Sequence, residues 1–154
     1  MALANQALAL HAQRRFDEAA GRGKRAIERV EADLLGFARL LVTEVRLRKV
    51  LADPGLPPEP KRALLEDLGQ GRLDQASVEL LATLATLQRV PLRQLPELVG
   101  ELAAMAALTA ADRAGELERV GDELFALADL VTLLVSTNRY RLWIAIQRGR
   151  IFPP

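Results

Sequence analysis

The chain contains no cysteine, so it has no disulfide framework and no thiol chemistry. Aromatic residues make up only 4% of its 154 residues, although half are hydrophobic, so the core must be built from Leu, Ala and Val. With abundant Glu and Arg, that composition predicts an all-helical protein with room for one substantial core. Net charge is only +1, which supplies no overall field to draw in nucleic acid or an anionic membrane. Long apolar runs are also missing. The longest candidate, "LFALADLVTLLV", is too short to span a bilayer and contains Asp129. The opening "MALANQALALHAQRRF" has no basic stretch before its apolar part and reaches His11 early, unlike a secretory signal. These features predict a soluble chain that meets a membrane only through partners.

Reactive side chains are scarce as well. There is one histidine, His11, with no acid or second histidine at ligand spacing, and the serines are Ser77 and Ser136. "GQGRLD" lacks the Lys-Ser/Thr of a phosphate loop, and no Glu-x-x-His pair suggests a di-iron centre. The expectation is a non-enzymatic protein with no cofactor, no metal and no nucleic-acid partner.

What the sequence does contain is helical periodicity. A first helix is expected from Ala2 to about Gly21. A second, of about 25 residues, ends near Ala52 and carries Ile27, Val30, Leu34, Phe37, Ala38, Leu41 and Val45 on one face. Four prolines between Pro54 and Pro60 then form a corner: Pro54 ends one helix, and Pro58 or Pro60 starts the next. Leu64, Leu65 and Leu68 give that third helix its apolar face, and Gly69 and Gly71 stop it. Asp74 caps a helix that buries Val78, Leu81, Leu84 and Ala85. Pro91 and Pro96 bracket a long Ala/Leu helix reaching about Ala114, and a last helix is expected from Leu117 to Val135.

Two segments echo one another. "AIERVEADLLGFARLL" from Ala26 and "ELERVGDELFALADLV" from Glu116 align without a gap, with Glu28/Glu118, Arg29/Arg119, Val30/Val120 and Leu34/Leu124 identical. Either two similar amphipathic helices have converged, or a helical unit is duplicated. The organisation expected is a bundle-like domain over 1–114, the start of a second helical repeat packed on it over 115–138, and a divergent basic and aromatic tail over 139–154.

The ordered set "RLRKVLADPGLPP", "KRALLEDL", "RLDQASVELLATLATLQR" and "LRQLPELVGEL" resembles the delta subunit of F-type ATP synthase, called OSCP in mitochondria. The resemblance covers about Ala2 to Met105, and the echo is similar to the partly repeated long form of actinobacteria. It implies an all-α bundle of about six or seven helices. The implied role is a non-catalytic stator component in the peripheral stalk. Such a component grips the N-terminal segments of alpha subunits, joins a b-type stalk subunit, and sits at the inner face of the cell membrane through the complex. Carried over by alignment, the resemblance implies a groove between the first and fifth helices with His11, Glu79 and Thr83 as partner-binding residues. After Asn138 the chain departs from the family, where a mixed α/β domain would come next, and gives "RYRLWIAIQRGRIFPP". A fragment, a truncated gene product and a stand-alone relative all remain open. The alternative to the stator reading is a helical-repeat adaptor of tetratricopeptide type, suggested by "NQALALHAQRRFDEAAGRGKRAIE".

Overall fold

The computed structural model describes the backbone of residues 2–86 and 91–147 and the side chains of 6–86 and 91–132. Among the described residues it is all-α: α1 (Ala2–Arg22), α2 (Lys24–Thr43), α3 (Val45–Ala52), α4 (Pro58–Gly69), α5 (Gln75–Thr86), α6 (Leu95–Arg113) and α7 (Leu117–Gln147). The chain divides into two compact units, 1–114 and 115–154.

In the first unit the core forms around α2. Its periodic face buries Ile27, Val30, Leu34, Phe37, Ala38 and Leu41, and the most extensive helix contact among the described residues joins α2 to α6. The facing residues of α6 are Leu95, Val99, Leu102, Ala103 and Ala106, whose alanines let the two helices approach closely. α1 closes one side with Leu8, Ala12, Phe16 and Ala19, and touches α2, α5 and α6. α5 adds Leu80, Leu81, Leu84 and Ala85. Removing a fully buried Leu or Phe of this set from water stabilises the bundle by about 2 kcal/mol each.

The long second helix expected from the sequence is in fact two. Glu44 leaves helical geometry, with φ −92° and ψ 81°, so Val45 begins α3 and is exposed instead of continuing the buried stripe. β-Branched residues crowd this point (Val42, Thr43 and Val45). The Thr43 hydroxyl also donates to the carbonyl of Leu40, 3.1 Å away, competing with the helix for that acceptor. The bend returns Leu51 to the core.

The proline corner behaves as read from the sequence. Asp53 is the C-cap of α3, and its side chain accepts the Gly55 N–H at 2.8 Å. Pro58 occupies the first turn of α4, where a missing N–H leaves nothing unpaired. Gly71, with φ 72°, turns the chain after α4 in a left-handed conformation that suits glycine. Asp74 then caps α5 through its carboxylate, 2.9 Å from the Ala76 N–H. Val78, expected inside, is only half-buried.

Two buried charged side chains lock this frame. Asp33 of α2 is 7% exposed and accepts three hydrogen bonds: from Arg29 Nε at 3.0 Å, the Asp74 N–H at 2.7 Å and Ser77 Oγ at 2.9 Å. It thereby pins the start of α5 to α2. Lys61 of α4, also buried, donates to the carbonyl of Ala85 at 3.3 Å, satisfying an acceptor in the last turn of α5. A third tie joins α1 to α6, where Gln13 donates to the Thr109 hydroxyl at 3.1 Å.

In the second unit α7 runs on to Gln147, twelve residues past the end expected at Val135. Its first turns keep the register of α2. The Arg29–Asp33 ion pair of α2 has its counterpart ninety positions on, in Arg119–Glu123 at 3.1 Å. The side chains of the basic and aromatic tail, Tyr140, Trp143 and Phe152 among them, and of the apolar pair Leu133 and Leu134, lie outside the described residues.

Candidate functional site

α1 and α5 lie side by side and antiparallel. Two ion pairs fix their register: Arg22 Nη2 to Asp74 Oδ1 at 3.2 Å, and Arg15 Nη2 to Glu79 Oε2 at 2.6 Å. One helical turn before Arg15 stands His11, and one turn after Glu79 stands Thr83. Continued for one turn, that register would bring these two level with each other as a further rung of the seam. Of the three residues expected at a groove between the first and fifth helices, Glu79 is paired across the two helices with Arg15, and His11 and Thr83 lie one turn further along their own helices. None is fully exposed: His11, Glu79 and Thr83 are each half-buried.

The rungs differ in chemistry. At the first, partial burial pushes the Asp74 carboxyl up. The Ala76 N–H and the guanidinium groups of Arg22 and Arg29 outweigh that effect and hold it below the usual carboxylate value. At the second, Glu79 Oε2 is buried against Arg15. Their approach is too oblique for an aligned hydrogen bond, so attraction between opposite charges dominates the contact. Gln75 Nε2 donates to the other carboxylate oxygen of Glu79 at 3.4 Å, and Arg15 Nη1 reaches Glu18 at 3.2 Å. At the third rung no charge is paired. The Thr83 hydroxyl donates to the Glu79 carbonyl of its own helix at 2.8 Å, and that of Thr86 donates to the Thr83 carbonyl at 2.9 Å. Reading the sequence missed Arg15. The only signal was its place one turn beyond His11 with a charge opposite to that of Glu79.

An open cleft of about 520 Å³ lies beyond Glu79, at the turn between α4 and α5, lined by Arg62, Glu66, Asp67, Gln75 and Glu79 among others. Its carboxylates and arginine carry no nucleophile or histidine beside them. Among the described residues no group of three His, Cys, Asp or Glu side chains could hold a metal ion, and no helix is long and apolar enough to cross a membrane.

Comparison with known proteins gives a consistent answer. Residues 16–108 match the family model described as ATP synthase delta (OSCP) subunit. The ATP synthase subunit delta of a Nocardioides species is 38% identical over 99 residues, covering 64% of this chain and 36% of that protein. That of Salinispora tropica is 35% identical over 118 residues, covering 76% of this chain and 43% of the relative. That of Streptomyces griseus is 38% identical over 99 residues, covering 64% of this chain and 36% of the relative. The chain thus spans about two fifths of the length of these curated relatives. The family match runs from Phe16 in the last part of α1 to near the end of α6, well over half of the chain: the chain belongs to the ATP synthase delta (OSCP) subunit family.

Proposed function

We propose that this chain serves as the head-gripping part of the peripheral stalk of an F-type ATP synthase, with the α1/α5 seam as the seat for an N-terminal helix of an alpha subunit. The observation that carries the reading is a family match over residues 16–108 of a bundle whose first and fifth helices are tied by the pairs Arg15–Glu79 and Arg22–Asp74. Physically, a stator component needs no reactive group. It needs a rigid frame and a place for a partner helix to lay its apolar face. The core around α2 and the two buried charged ties supply the frame, and the half-buried rung of His11 and Thr83 supplies the seat. In this reading the chain is not an enzyme and binds no cofactor. Its stalk partner is a b-type subunit, and it sits at the inner face of the cell membrane only through the assembled complex.

The test is a pull-down with a synthetic peptide of the alpha-subunit N-terminal segment. Wild-type chain is expected to retain the peptide, and a variant carrying Glu79→Arg and Thr83→Arg to lose it. Equal retention by both, or none by either, removes the seam assignment.

A further inference from the structure

From the apolar stripe that α7 leaves exposed, we infer that the chain pairs with a second copy of itself, α7 against α7, through Leu117, Val120, Leu124, Leu127 and Val131. The inference stands on α7 and depends neither on the α1/α5 seam nor on a partner peptide.

These five positions recur at alternating steps of three and four residues, the spacing of a two-stranded helical seam. α2 carries the same steps ninety positions earlier, in Ile27, Val30, Leu34, Phe37 and Leu41, and there no member is more than 6% exposed. α6, joined to α2 by the most extensive helix contact of the described residues, buries Leu95, Val99, Leu102 and Ala106 at the same alternating steps. The first unit thus hides both of its stripes of this spacing in one core. On α7 the stripe stays wet: Leu117, Leu124, Leu127 and Val131 are 44–56% exposed, and Val120 is half-buried. Among the described residues α7 has six exposed large apolar side chains, and no other helix has more than three. The stripes of α2 and α6 are already used, so the free stripe of matching spacing is the α7 of another copy. The flanks permit that pairing. Asp122 and Asp129, seven apart, stand on the opposite face of the helix. Glu123, beside the stripe, is paired within its own helix with Arg119 at 3.1 Å. Gly121 and Ala128, on the other flank, are small enough for two helices to approach closely. With Leu130 at its edge, the stripe offers on the order of 500 Å² of apolar surface per copy, so two copies bury about the 1,000 Å² that a specific interface needs.

Sedimentation equilibrium of the full chain at micromolar concentration is expected to give twice the 16.9 kDa of one copy. A variant carrying Leu124→Glu and Leu127→Glu is expected to sediment as one copy. Both residues lie outside the buried cluster of the first unit, so circular dichroism is expected to keep a cooperative thermal transition, which shows that the variant is folded. A second arm leaves the centre of the stripe intact. The absence of cysteine lets one environment-sensitive dye be placed uniquely, through Leu130→Cys at the edge of the stripe or Asp122→Cys on the opposite face. As each labelled chain is concentrated through the range in which pairs form, the dye at 130 is expected to shift to shorter wavelength and saturate, while the dye at 122 stays silent. A wild-type chain that remains a single copy overturns the inference, as does association of no fixed size. So does a glutamate variant that still pairs, or a response at 122 equal to that at 130.

Discussion

Replacing Asp33 by alanine would strand three donors at once. The Arg29 guanidinium can turn to water, but the Asp74 N–H and the Ser77 hydroxyl cannot do so without moving α5. Losing a buried acceptor costs about 1–3 kcal/mol per stranded group, so Asp33→Ala is expected to lower stability by about 3 kcal/mol or more, read by chemical denaturation. Asp33→Asn keeps one acceptor oxygen and is expected to fall between wild type and the alanine variant. Asp74 acts more weakly and depends on pH. Its folded-state carboxyl is held below the ordinary value of 3.8, so its contribution is fully present above that pH and is lost as pH falls through the folded value. The difference in melting temperature between wild type and Asp74→Asn is therefore expected to be constant near neutrality and to shrink below 3.8. A gap that widens on acidification would reverse the assignment.

At the scale of elements, the junction of α4 with the turn before α5 leaves little room for added volume. A Cβ built on Gly69 would stand 2.6 Å from Val78 Cγ2, and valine has few rotamers with which to yield. Gly69→Ala is expected to cost about 1–3 kcal/mol, and Val78→Ala in the same chain to recover part of it. Denaturation midpoints of the two variants check both halves. What the sequence revealed at this scale was the part that periodicity controls. Six of the seven positions placed on the apolar face of the second helix are buried, and the seventh, Val45, fails because the helix breaks at Glu44. Periodicity says which face of a helix is wet. It does not register a backbone bend that costs one residue and loses almost no hydrogen bonds: the Glu44 N–H still donates to Leu40 at 2.8 Å. The same limit applied to the seam. Glu79 and Thr83 share a face of α5 by spacing alone, whereas the pairing of Glu79 with Arg15 depends on how far two antiparallel helices slide past each other. Asp33 was illegible for a like reason, since its partners on α5 and the turn before it lie more than forty positions away.

At the scale of the whole molecule, the first unit carries its own core and closes its own ties. Every residue of the buried cluster belongs to 1–114, and so do Asp33, Lys61 and Thr109. A chain ending at Ala114 is therefore expected to keep a cooperative thermal transition and the helical circular dichroism of its six helices. Loss of cooperativity would show that the unit leans on α7. The Asp33 tie also has a consequence in time. Backbone amides at turns normally trade their protons with solvent quickly, yet the Asp74 N–H is held by a buried carboxylate on another helix. Its proton should leave only when α2 and α5 part, so in deuterated water this one turn amide is expected to keep pace with the slowest helical amides and to report the opening of the bundle.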